Sequence, residues 1–178
     1  IEVDVFERSE SIKEFGAGIT LSKNATILLQ DIGLMESLSY KGYYPMGSYI
    51  RDYKNAKVIQ SKTFDKNFIT LDRRDLVATL ATRLEDIGGS IYFDSEIKSI
   101  DPITGELLIS NKEKKRYDLI LICDGIQSSL RESYFDNQKP QFTNYVAWRG
   151  MTPIENLPKF EGNDKVNVYY GPGGHCLS

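Results

Sequence analysis

Apolar and polar residues alternate over residues 2–7 (EVDVFE), the spacing of a β-strand that closes on an acid, Glu7. A small-residue loop follows at Phe15-Gly16-Ala17-Gly18-Ile19. Ser22 then stands where it can N-cap a helix over residues 23–32, with Gly33 as the stop, and a short second helix is predicted over 34–38. From 43 to 70, aromatic and β-branched residues (Tyr49, Ile50, Tyr53, Val58, Ile59, Phe64, Phe68, Ile69) alternate loosely with polar ones, which predicts antiparallel strands and turns. Leu76, Leu80, Leu84 and Ile87 recur at helical spacing and predict a helix over 75–87 with one apolar stripe, ended by Gly88-Gly89. Strands are predicted at 90–93, 96–100 and 106–110, with Asp101-Pro102 and Gly105 turning the last two into a hairpin.

The chain is organised around residues 117–131, YDLILICDGIQSSLR. The apolar run Leu119-Ile120-Leu121-Ile122 has the length and texture of a strand buried on both faces, as in the middle of a parallel sheet. Asp124-Gly125 and the Ser-rich Gln127-Ser128-Ser129 come next and can open a helix whose N–H groups meet an anion. The glycine allows a ligand to approach the main chain, and the alternative is a plain tight turn. Beyond Pro140 the β texture returns at 145–151 and 166–170, before Gly171-Pro172-Gly173-Gly174.

Two details point to chemistry. An acid at the end of a strand, as Glu7 is, can accept hydrogen bonds from a ribose diol in a dinucleotide fold, though no G-x-G-x-x-G loop occurs in the chain. The strand at 2–7 is therefore either an ordinary edge strand or the second strand of a nucleotide-binding unit. Arg73 and Arg74 stand where the helix dipole favours anions, so they are either solvated or paired with a carboxylate or phosphate.

Composition narrows the choice. The 178 residues are 40% hydrophobic and 26% charged with net charge −3, as in ordinary globular proteins. No apolar run approaches a membrane span, the chain opens without a leader-like segment, and a cytoplasmic location is expected. The basic run at 112–116 contains Glu113 and reads as a solvated hairpin rather than a nucleic-acid patch. Cys123 and Cys176 have no metal or disulfide spacing, and Cys123, at the end of an apolar run, is expected to be a buried, reduced thiol. His175 is the single histidine, which excludes multi-histidine metal sites and leaves hard chemistry to a bound cofactor.

Taken in order, Glu7-Arg8-Ser9, the GAGI loop at 16–19, LSKNA at 21–25, IGL at 32–34, DRRDL at 72–76, CDGIQSSLR at 123–131, AWRG at 147–150 and GPGGH at 171–175 resemble one family. This is the FAD-dependent monooxygenases and aromatic hydroxylases of the para-hydroxybenzoate hydroxylase type, and in texture the salicylate-hydroxylase-like and tetracycline-destructase-like branches. The resemblance implies an α/β fold: a Rossmann-like FAD/NAD(P)-binding domain, incomplete here, over residues 1–42 and 72–140, and an antiparallel-sheet substrate domain over 43–71 and 141–178. It implies that Glu7, with Arg8 after it, holds the adenosine ribose of FAD, that Gly16, Ala17 and Gly18 lie beside the flavin, and that Arg73 contacts the FAD. Asp124 and Gly125, completed by Ser128 and Arg131, match a motif associated with FAD and the pyridine nucleotide.

The activity so implied is insertion of one oxygen atom from O2 into a small aromatic or polycyclic substrate, through a flavin C4a-hydroperoxide and at the expense of NAD(P)H. Two alternatives are a flavin-dependent reductase of the same fold and a truncated, non-catalytic binding domain. The family's first glycine loop and its later Gly-Asp segment are absent, so the chain is expected to be an internal piece that holds FAD weakly. Tyr43, Tyr44, Tyr49, Phe64, Phe68 and Trp148 are either core or the lining of a substrate pocket.

Overall fold

The computed structural model describes residues 1–12, 17–135, 138–159 and 162–178. Two compact units interleave along the sequence, one taking in Ile1–Lys13 and Leu84–Trp148, the other Glu14–Arg83 and Arg149–Ser178.

In the first unit β1 (Asp4–Phe6) pairs in parallel with β6 (Ser90–Tyr92), Asp4 opposite Ser90. A second sheet is an antiparallel meander of β7 (Ile97–Asp101), β8 (Glu106–Ile109) and β9 (Lys114–Arg116). Its first turn is the one expected. Asp101 Oδ1 accepts from Ile103 N at 2.9 Å and Thr104 N at 3.2 Å, and Gly105 N donates to Asp101 O at 2.8 Å. Gly105 has φ +73°, and a Cβ there would lie 2.2 Å from the Tyr117 carbonyl oxygen. The basic run makes the second hairpin, as the sequence predicts. A six-residue helix, α4 (Ser129–Tyr134), closes this unit, and its Leu130 packs with Ile100 and Leu107 in a small core.

In the second unit β2 (Gly18–Leu21) pairs antiparallel with β5 (Ile69–Asp72). Around that ribbon pack α1 (Lys23–Asp31), α2 (Met35–Ser39) and Leu76 of α3 (Arg73–Asp86), on a core of Leu21, Leu34, Leu38, Ile69 and Leu71. A four-stranded sheet contains β3 (Gly47–Asp52), β4 (Val58–Thr63), β10 (Val166–Gly171) and β11 (Gly174–Leu177) in the order β11-β10-β3-β4, with β3 and β10 parallel. Buried Arg51 on β3 donates through Nε to Asn167 Oδ1 on β10 at 2.8 Å and through Nη1 to Ala56 O at 2.8 Å, while Asn167 Nδ2 donates to the Gly162 and Lys165 carbonyls.

Four expectations are corrected. Residues 119–122 are not a strand buried on both faces: they join no sheet, Ile120 and Ile122 pack on the Leu130 core, and Leu119 and Leu121 are each 75% exposed. Burial on both faces needs a layer on each side, and among the described residues only one is supplied. Cys123 is exposed rather than buried, because the same period-2 alternation sets it on the face of Leu119 and Leu121. No strand forms over 145–151, where Tyr145, Val146, Trp148 and Met151 are exposed. The apolar stripe expected over 75–87 is partial: Leu80 is exposed and Thr79 takes the buried position in α3, while Ile87 lies just past the end of α3 and is exposed.

Ile69 is fully buried, so Ile69→Ala should destabilise the protein by about 2–5 kcal/mol in a denaturant titration. The backbone N–H groups of Ile103 and Thr104, with the Thr104 hydroxyl, hold the Asp101 carboxyl below its ordinary 3.8. The contribution of this turn to stability is therefore complete above pH 3.8 and is lost as pH falls through the lower folded value. Amide exchange at Ile103 and Thr104 should rise relative to β8 over that interval.

Candidate functional site

The Asp124 turn is built by local rules. Gly125 has φ +86°, a conformation that side-chain-bearing residues adopt only at a cost, so the chain leaves the extended segment and turns into α4 at the one residue suited to it. Ser128 is buried and N-caps α4, its Oγ accepting from Arg131 N at 2.9 Å. Arg131 turns back, and its Nη2 donates to Ile126 O at 3.0 Å, which braces the loop at the surface. Tyr134 secures the other end of the helix: its hydroxyl accepts from Ile100 N at 3.0 Å, on β7, an edge strand of the meander.

These residues line a cavity of about 610 Å³ together with Ile120, Leu121, Ile122, Cys123 and Phe135. Asp124, Gly125, Ser128 and Arg131 thus share one largely apolar depression. That pairing of apolar wall and few polar groups suits a flat ring system carrying a polar chain. The sequence expectation of open helix N–H groups facing an anion is narrowed, because Ser128 itself takes the Arg131 amide.

Glu7 belongs to the same unit and follows β1 directly. Its main chain extends the parallel pairing, Glu7 N donating to Tyr92 O and Ser95 N to Glu7 O, both at 2.9 Å. Its Oε1 accepts from Ser9 N at 2.8 Å, which aims the half-buried carboxylate and leaves acceptor capacity on both oxygens. Arg8 is exposed beside it.

In the second unit Ala17, Gly18 and Arg73 come together: Arg73 N donates to Ala17 O at 3.0 Å, and Gly18 pairs with Asp72 across the β2–β5 ribbon. Gly16 lies outside the described residues. Asp72, which sequence reasoning passed over, accounts for Arg74 at the helix start. It caps α3 by accepting from Arg74 N at 2.8 Å and binds the Arg74 guanidinium at 2.5–3.1 Å. Arg74 in turn holds the Asp72 carboxyl below its ordinary range. The signal was present in D-R-R-D, an acid just before the helix.

The six candidate aromatics divide. Phe64 and Phe68 stack at 3.8 Å and clasp their own turn, Tyr49 lies under Arg51 and Lys165 at 5.0 Å each, and Trp148 is 95% exposed. Tyr43 is exposed, and Tyr44 lines a separate cavity of about 370 Å³ in the second unit with Gln30, Asp31 and Lys66. His175 packs beside Tyr170 at 5.7 Å on the β10–β11 hairpin. Among the described residues no helix is long and apolar enough to cross a membrane.

No protein-family model matches the sequence. Individual proteins do. The chain is 27% identical to the FAD-dependent monooxygenase OpS4 of Beauveria bassiana, over 98% of this chain and 45% of that protein. It is 24% identical to the 6-hydroxynicotinate 3-monooxygenase of Bordetella bronchiseptica, over 96% of this chain and 49% of that one. Among solved structures it is similar to the tetrameric form of 2-methyl-3-hydroxypyridine-5-carboxylic acid oxygenase, with TM-score 0.67 and 28% identity over 74% of this chain and 35% of that one. The tetracycline destructase Tet(55) shares the fold, with TM-score 0.55 and 21% identity over 73% of this chain and 33% of its own.

Both the sequence relatives and the solved structures that the chain resembles are named for monooxygenase or oxygenase chemistry, and the resemblance read from the motifs, to FAD-dependent aromatic hydroxylases, is upheld. The chain spans about half the length of the curated relatives it matches.

The turn geometry gives a direct check. Ser128→Ala should cost about 1 kcal/mol through loss of the cap, and Gly125→Ala about 1–2 kcal/mol through strain at positive φ. Both are measurable as shifts of the urea midpoint.

Proposed function

We propose that this chain carries part of the FAD site of a monooxygenase that inserts one oxygen atom from O2 into a small aromatic or polycyclic substrate, with NAD(P)H as reductant. The observation that carries the reading is the convergence of Asp124, Gly125, Ser128 and Arg131 on one cavity, at the positions of the family's second cofactor motif. Similarity over nearly the whole chain to proteins named for this chemistry supports it.

In this reading Glu7 accepts hydrogen bonds from the adenosine ribose, its carboxylate pre-aimed by the Ser9 amide. Arg8 lies beside it, Gly16, Ala17 and Gly18 border the flavin, and Arg73 contacts the cofactor. Asp124 and Gly125 face the cofactor from the cavity rim, and Ser128 and Arg131 hold their turn in shape. Residues 1–42 and 72–140 serve the cofactor, and 43–71 and 141–178 form the substrate-side sheet. FAD when bound supplies the redox chemistry, taking reducing equivalents from NAD(P)H and activating O2. The protein orients the partners and keeps water out.

The experiment is purification of the full-length protein that its gene encodes. It should be yellow, and a phenolic or hydroxypyridine substrate should accelerate NAD(P)H oxidation with matching oxygen uptake. A protein that takes up no FAD on titration refutes the reading, and FAD-dependent NAD(P)H oxidation without substrate-coupled oxygen uptake assigns it to the reductases instead.

A further inference from the structure

We propose that Asp72 is a positioning residue for the flavin: its carboxylate locks the junction at which β5 becomes α3, and so fixes where Arg73 stands. This inference rests on the flavin reading, in which Arg73 contacts the cofactor, and adds to it a residue to which that reading gives no part. The need comes from the junction itself. β5 ends at Asp72 and α3 begins at Arg73, with no loop residue between them. Leu71 on one side and Leu76 on the other pack into the same core, so the chain turns from extended to helical within a few residues held at both ends. Such packing is non-directional and does not set the angle at which the first helical residue leaves the strand.

Hydrogen bonds set it. Asp72 pairs with Gly18 in the β2–β5 ribbon, which anchors its main chain. Its Oδ1 then accepts from Arg74 N, the second amide of the helix, at 2.8 Å, in the manner of an N-cap. Between the two, Arg73 N donates to Ala17 O at 3.0 Å. The peptide units before and after the Arg73 Cα are therefore each tied, one to the loop that borders the flavin in this reading and one to the Asp72 carboxylate. The Arg74 side chain grips the same carboxylate, Nε at 3.1 and 3.0 Å from its two oxygens and Nη2 at 2.5 Å from Oδ2. These bonds hold the Asp72 carboxyl below its ordinary 3.8, which keeps it an acceptor at neutral pH. Arg74 is mostly exposed, so the cap rather than the ion pair carries the effect. The next acid, Asp75, faces Lys41 Nζ at 3.8 Å, and Lys41 also donates to the buried Thr79 hydroxyl at 3.3 Å, which seats the first turns of α3. The Cα–Cβ direction of Arg73 is thus set before any ligand arrives, and binding need not order it.

The test is the FAD affinity of the full-length apoprotein, read by quenching of flavin fluorescence. Asp72→Ala should weaken binding about fivefold, on the scale of a lost cap. Asp72→Asn keeps the capping oxygen and should stay within about twofold of wild type. Arg74→Ala keeps the capped amide and should also stay within about twofold. Arg73→Ala should lose about tenfold or more, as for a charge-assisted hydrogen bond. Adding Asp72→Ala to Arg73→Ala should cost less than about twofold further, because nothing is left to position.

Hydrogen exchange on the ligand-free protein supplies a readout independent of flavin. In Asp72→Ala the Arg74 amide should exchange faster while the β2–β5 ribbon keeps its protection. Losses that add in the double variant, or ribbon exchange that rises with that of Arg74, would mean general loosening and overturn the proposal. Unchanged FAD affinity in Asp72→Ala overturns it as well. A wild-type protein that binds no FAD overturns the flavin reading and removes the proposal with it, whereas FAD binding with additive losses overturns the proposal alone.

Discussion

Two isoleucines and a leucine hold the candidate site in place. Ile120 and Ile122 lie on the cluster of Ile100, Leu107 and Leu130, and among the described residues no ladder of main-chain hydrogen bonds shares the load. Full burial of such a side chain is worth about 1.5–3 kcal/mol, of which the half-buried Ile120 and Ile122 realise a part, but the effect is non-directional. It fixes which face of the segment is down without fixing how far the segment slides. The directional contacts, Tyr117 to Asp4 at the start, Arg131 to Ile126 and Tyr134 to Ile100 at the end, supply what packing leaves loose. The cavity that gathers Asp124, Gly125, Ser128 and Arg131 is a consequence of that division of labour.

Elements governed by neighbours in sequence were legible before the structure. The Asp101–Gly105 turn, the Ser22 start of α1 and the hairpin in the basic run depend on a few adjacent residues, and each stands where the pattern put it. The Asp-Gly turn was legible for the same reason, since a positive φ at 125 selects glycine locally. Burial was another matter. An apolar run signals a hydrophobic segment but not how many layers cover it, so Leu119 and Leu121 were expected inside and stand exposed. The error carried along the period-2 alternation to Cys123.

Polar pairings across long separations were illegible for a different reason. Arg51 and Asn167 are 116 residues apart, and neither is unusual where it stands in the sequence. Their burial together is set by the parallel register of β3 on β10. Buried polar groups of this kind survive only when their hydrogen bonds are made, and each donor assigned to Asn167 Nδ2 has a carbonyl within 3.0 Å. Asp72 falls between the cases. Its place before α3 was visible, but attention to the arginines hid the acid that pairs with Arg74.

Both units are discontinuous in sequence, each assembled from an early and a late segment. The parallel pairing of β1 with β6 and of β3 with β10 therefore closes long loops before it yields any ladder energy. Local hairpins such as β7–β8 carry no such cost and are the natural first elements to form. The candidate site inherits this order. Its turn and short helix dock on the meander, which is locally encoded, whereas Glu7 joins the same unit through a long-range strand pair and the side-chain contacts of β1. An extended ligand engaging both would bind across the locally and the globally encoded halves of one unit, and its binding would stabilise the slower of the two pairings by mass action.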